Sequence, residues 1–106
     1  MAIQEMTSER FDREVLEAGH PVIVEFSAPW CGYCRRLDPV LERMDGQPGI
    51  PQIVKVDIDE QPKLAERFGI EVIPTMLLFR NGAHGEAIVA PGSQPQVEAW
   101  IRSQMD

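Results

Sequence analysis

Cys31 and Cys34, in the run Trp30-Cys31-Gly32-Tyr33-Cys34, are the only cysteines of the chain. A C-x-x-C pair can supply half the ligands of a tetrahedral metal site, or it can open and close as a dithiol and disulfide. A metal needs four ligands, and His20 and His84 lie far apart beside turn residues, as solvated loop histidines do. Only the dithiol is complete. The apolar run Val22 to Ser27 upstream reads as a strand and Arg35 to Met44 downstream as a helix, so the pair stands at a strand-to-helix junction. There the unpaired N–H groups and the positive end of the macrodipole favour an anion and lower a thiol's pKa. Cys31 is therefore the expected nucleophile. Residues three apart at a helix start also share a face at a separation that suits a disulfide.

Glu25 is the second residue with chemical promise. It interrupts a strand of Val22, Ile23, Val24 and Phe26, where ionising a carboxyl is costly and desolvation raises its pKa. The alternative is a glutamate on an exposed strand face. Arg35, Arg36 and Arg43 read as a solvated helix face, with steering of acidic clients or lowering of the Cys31 pKa as the other option. Trp100 falls on the apolar periodicity of the last helix as a core anchor.

Strand and helix patterns alternate through the chain, which indicates an α/β fold. Ile3 to Met6 fits a short edge strand; Thr7 or Ser8 then caps a helix presenting Phe11, Val15 and Leu16 and ending at Gly19. Val22 to Ser27 is apolar on both parities except Glu25, as in the middle of a sheet. The next helix carries Leu37, Val40, Leu41 and Met44 with Pro39 inside it, which removes a backbone bond. Ile53 to Ile58 is the next central strand, Pro62 to Phe68 a helix stopped by Gly69. Thr75 to Arg80 and Glu86 to Ala90 flank Asn81 and Gly82 as an antiparallel hairpin, and Val97, Trp100 and Ile101 mark a final helix.

At 106 residues the chain is expected to be one domain, 1–106. Its formal charge of −7 disfavours nucleic acid and anionic membranes as partners, since both reward a basic surface. The first ten residues have neither a basic n-region nor an apolar core of signal-peptide length, and no run could span a bilayer, so a cytoplasmic location is expected. In that reducing compartment a Cys pair is more often catalytic than structural. No metal or other cofactor is expected, and the chain is expected to be a monomer.

The order of elements resembles the thioredoxin family. The motifs that carry the likeness are Glu25 to Cys34, Asp57-Ile58-Asp59, Gly69 to Thr75 with Ile73-Pro74-Thr75 at its end, and Phe79-Arg80-Asn81-Gly82. The resemblance implies a thioredoxin fold, a central mixed β-sheet flanked by helices on both faces. It also implies thiol–disulfide exchange with protein disulfides: Cys31 attacks, a mixed disulfide forms, and Cys34 resolves it. Glu25 matches the family's proton acceptor, commonly Asp and in protein disulfide isomerase domains Glu. Lys55 matches a lysine near that acid, with a solvated strand lysine as the alternative. Pro74 matches a proline after a cis bond that leaves the Ile73 backbone free for an extended client. Trp30, Gly32, Tyr33, Ile58, Val72, Ile73, Pro74, Pro91 and Gly92 match its docking surface, although any one apolar member also suits ordinary core. Electrons are expected from a thioredoxin-reductase-like flavoenzyme.

Two positions depart from the pattern. Tyr33 stands where most thioredoxins have Pro, and Ser27 where they have an aromatic residue. Without the proline an extra backbone N–H can stabilise thiolate, which favours the reduced form and makes the couple more oxidising. Glu25, Pro29 and a non-proline before Cys34 look more like protein disulfide isomerase domains, and Gly32-Tyr33 is similar to the tyrosine of glutaredoxins. Isomerase- or glutaredoxin-like exchange is thus an alternative within enzymes, and a non-catalytic binding module an alternative outside them.

Overall fold

The computed structural model describes residues 3–106, and every residue of the strand Val22–Ser27 is buried in it, as side chains covered on both faces must be. In chain order the elements are β1 (Gln4–Glu5), α1 (Ser8–Phe11) running into a π-helical segment (Asp12–Leu16), and β2 (Val22–Ser27). Then come α2 (Gly32–Met44), β3 (Gln52–Asp57), α3 (Pro62–Arg67), β4 (Thr75–Arg80), β5 (Ala83–His84), β6 (Ile88–Val89) and α4 (Gln94–Met105). The sheet runs β1-β3-β2-β4-β5, with β6 also on β4. The β1–β3 and β3–β2 pairs are parallel and the others antiparallel. This is an α/β fold, as the alternation of patterns predicts, and the mixed sheet with flanking helices that the resemblance implies.

The period of two in the strands sorts their side chains onto two faces. On one, Val22, Val24, Phe26, Val54, Val56, Leu77 and Phe79 pack with Phe11, Val15 and Leu64 of the α1–π segment and α3. On the other, Ile23, Ile53, Met76 and Leu78 pack with Leu37, Leu41 and Met44 of α2 and with Val97, Trp100 and Ile101 of α4. By alternation from Ile23, Glu25 and Ser27 point to this second face. Glu25 stands opposite Lys55 on β3 and Met76 on β4. α2 continues through Pro39, which withholds one N–H from the helical ladder.

Two local expectations are corrected. Neither Thr7 nor Ser8 caps α1 with its side chain: Thr7 occupies the cap position without a capping bond, and Gln61 Oε1 accepts from both the N–H and the Oγ of Ser8, each at 2.9 Å. The second hairpin arm is not one strand over Glu86 to Ala90 but two short pieces. The indole Nε1–H of Trp100 donates to the Glu86 carbonyl at 2.9 Å, which draws that residue to α4 and out of the ladder.

Candidate active site

Cys31 is the residue that caps α2. Its backbone is extended (φ −84°, ψ 108°), and its Sγ accepts from the Cys34 N–H at 3.2 Å, taking the place a Ser or Asp oxygen takes in ordinary caps. The sulfur thus sits where the first turn aims its unpaired donors. Cys31 and Cys34 are joined as a disulfide, with Cα atoms 5.3 Å apart. Cys31 keeps 7% of its surface in solvent and Cys34 1%, so an incoming disulfide meets Cys31 first. The N–H that reaches Cys31 is that of Cys34, which a proline at position 33 would also leave in place. The extra donor expected from Tyr33 is not the one engaged.

Ala28, Ile58 and Ile73 pack on the two sulfurs. The Ile73 carbonyl lies 4.0 Å from Cys31 Sγ, and the Ile73–Pro74 bond is cis with Pro74 buried. Beside them Trp30, Tyr33 and Val72 are exposed, Trp30 by 64%. The Trp30 Nε1–H donates to Asp59 Oδ2 at 2.7 Å, which holds the indole at the rim, and the Val72 carbonyl accepts from Thr75 Oγ1 at 2.7 Å. Gly32 opens α2. Pro91 and Gly92, with Ser93, face Tyr33, Arg36, Leu37 and Val40 across a cleft of about 240 Å³. Ala90 ties the start of α2 to Pro74: its carbonyl accepts from the Tyr33 hydroxyl at 2.9 Å and its N–H donates to the Pro74 carbonyl at 2.9 Å. Sequence reasoning missed Ala90, because nothing in its type marks a left-handed backbone (φ +46°).

Glu25 has no exposed surface, and neither carboxyl oxygen has a hydrogen-bond partner. Burial pushes its pKa up to about 8, the charge of Asp38 adds to the rise, and Lys55 opposes it. Lys55 does not bond Glu25; its Nζ donates to Asp38 Oδ2 at 3.0 Å. Burial depresses the Lys55 pKa, but the hydrogen bond to Asp38 and the charges of Glu25, Asp38 and Glu5 outweigh it and leave it raised. Asp38 is the second residue that sequence reasoning missed. A signal existed: it stands four residues after Cys34, one turn along the same side of α2 at the edge of its buried stripe. A cleft of about 300 Å³ lined by Glu5, Ser27, Ala28, Pro29, Arg35, Asp38, Lys55 and Asp57 opens beside it. Arg35 donates to the Pro29 carbonyl at 2.7 Å and Arg36 lies 5.0 Å over the Tyr33 ring, so both hold local structure. His20 and His84 are exposed.

An accessible sulfur on a helix N-terminus, a second sulfur shielded behind it, and a buried acid on the same face of the sheet can carry out two-step disulfide exchange. A family model described as Thioredoxin matches residues 2–103. The chain is 40% identical over 89 residues to "Thioredoxin 1" of Nostoc sp. (strain PCC 7120 / SAG 25.82 / UTEX 2576), covering 83% of each chain. It is 34% identical over 101 residues to "Thioredoxin" of Rickettsia felis, covering 94% of this chain and 96% of that one. With "Thioredoxin 1" of Synechococcus elongatus it shares 41% over 85 residues, 79% of each chain.

Proposed function

This chain belongs to the thioredoxin family and is a thiol–disulfide oxidoreductase that reduces protein disulfides; on that premise we propose how its residues divide the work. The observation that carries the proposal is Cys31 Sγ on the α2 N-terminus, under an apolar rim and beside the Ile73 backbone. The Cys31 thiolate attacks a client sulfur, the client S–S bond breaks, and one client thiolate leaves as the Cys31–client disulfide forms. Cys34, its proton passed to Glu25, then attacks Cys31 Sγ. The Cys31–Cys34 disulfide closes and the second client thiolate leaves, so the client gains two electrons from the dithiol; the two client thiolates take their protons from solvent, to which Cys31 gave its own on ionising and Glu25 returns the one it took from Cys34. Trp30, Gly32, Tyr33, Ile58, Val72, Ile73, Pro74, Pro91 and Gly92 form the client surface in this reading.

Lys55 acts on Glu25 through its charge rather than by a bond. Electrons return from a thioredoxin-reductase-like flavoenzyme, and residues 1–106 work as one monomeric domain. A cytoplasmic site of action fits a chain whose two cysteines are both spent on the redox pair. Tyr33 in place of proline favours isomerase-like exchange as a second reading.

The test uses insulin reduction with dithiothreitol as donor. Cys31→Ser abolishes catalysis, and Cys34→Ser accumulates a mixed disulfide with the client, visible by mass. Wild-type protein that does not hasten precipitation would return the chain to the class of binding modules, and a mixed disulfide trapped by Cys31→Ser instead would reverse the two roles. Faster reactivation of scrambled ribonuclease than reduction of insulin would favour the isomerase.

A further inference from the structure

Glu25 and Lys55 are directly paired positions in the parallel β2–β3 ladder, so their side chains leave the same face of the sheet side by side. A buried carboxyl next to an ammonium ordinarily takes it as a partner, because an unpaired charge in that setting is among the most destabilising arrangements a core can hold. Here the ammonium goes elsewhere. Its bond is to Asp38 on α2, at 3.0 Å, while both oxygens of Glu25 are without a partner. We propose that Asp38 is a positioning residue that holds the Lys55 ammonium and so keeps it from pairing with Glu25.

The setting of Asp38 supports this role. Its spacing from Cys34 places it at the edge of the buried stripe of α2, half-buried, and its other oxygen, Oδ1, is buried with no partner. A carboxyl with one free buried oxygen gains from retaining its single cation. The ion pair is part-exposed, with 24% of the Lys55 and 29% of the Asp38 side chain in solvent, at the cleft beside Ser27. Glu25 lies inward of it. The titratable and charged groups on this face are Lys55 and Asp57 from β3, Glu5 from β1 and Cys34, Arg35 and Asp38 from α2. β4 opposes Glu25 with Met76, and α4 brings Val97, Trp100 and Ile101, none of which titrates. Of the two cations Arg35 is bonded to the Pro29 carbonyl and Lys55 is the ladder neighbour of Glu25, so whichever carboxyl holds Lys55 decides whether Glu25 can lose its proton readily. Burial and the Asp38 charge both push the Glu25 pKa upward, in keeping with that arrangement. The consequence for exchange rests on the reading of Glu25 as acceptor of the Cys34 proton.

The experiment titrates the Glu25 carboxyl by carbon NMR in the oxidised protein and measures, in parallel, release of the mixed disulfide against pH. In Asp38→Ala the Glu25 midpoint falls by about one unit or more, the size of effect an adjacent cation has, and the pH profile of release moves down by the same amount. Asp38→Asn, which keeps the side-chain volume, gives a fall of the same sign. In Lys55→Met the midpoint instead rises, and adding Asp38→Ala to that background produces much less of the fall. An unchanged midpoint in both Asp38 variants, or a fall of full size in the Lys55→Met background, overturns the proposal. A midpoint that falls while the release profile stays in place leaves the proposal standing and removes Glu25 as the base.

Discussion

A carboxyl buried in the middle of a sheet with no hydrogen-bond partner makes stability depend on its proton. The Glu25 pKa is about 8 in the folded protein against an ordinary value of 4.5, so the folded state binds the proton more tightly than the unfolded one. The sign follows: the contribution of this group is fully present below pH 4.5, falls as pH rises from there to about 8, and is constant above. At about 1.4 kcal/mol per unit the span is on the order of 4–5 kcal/mol. Glu25→Gln in the oxidised protein removes that decline, and urea melts from pH 4 to 9 measure it as the difference between variant and wild type. A variant that keeps the wild-type decline would place the titration elsewhere. Glu25 was legible in the sequence because an acid among Val22, Ile23, Val24 and Phe26 breaks a pattern. Asp38 was not, because α2 is rich in charge and one more carboxylate before Pro39 breaks nothing until Lys55 is seen to reach it.

Between elements, the contact that shapes the proposed client surface joins the start of α2 to the segment that follows β6. The Tyr33 hydroxyl donates to the Ala90 carbonyl, Ala90 is in turn tied to Pro74, and Arg36 covers the ring of Tyr33. Alanine holds a left-handed conformation there that glycine adopts more readily, so outside contacts must maintain it. Tyr33→Phe keeps the ring and its cation but deletes the bond, a loss of about 0.5–1.5 kcal/mol. With a protein disulfide as client KM rises roughly two- to tenfold, while kcat/KM for a small aromatic disulfide, which does not span the surface, is unchanged. Equal losses with both substrates would show that the phenol serves the sulfurs and not the surface. Element types and order were readable from periodicity and from the glycines at helix ends. The break between β5 and β6 was not, since it depends on Trp100 reaching back to Glu86 from the far end of the chain.

Across the whole molecule the sheet separates tasks. The face toward α2 and α4 carries Glu25, Lys55 and the start of α2, whereas the face toward α1 and α3 carries apolar packing in which Phe11 and Phe68 meet Phe79, with ring centroids 5.3–5.6 Å apart. Phe11→Ala therefore lowers stability by about 3–5 kcal/mol in denaturant melts. Below its melting range the variant keeps the wild-type pH profile of disulfide exchange; a displaced profile would mean that the two faces are coupled through the sheet. The same sheet ends in very short strands on both sides: exposed Gln4 and Glu5 at one edge, and at the other exposed Ala83 and His84 with the two-residue strand Ile88–Val89. Open strand edges invite other chains to add on and grow into aggregates, and brevity together with a charged residue blunts that tendency. On the proposed reading, in which extended clients pair with the Ile73 backbone, these short edges present little elsewhere for the same clients, or for copies of the chain, to polymerise upon.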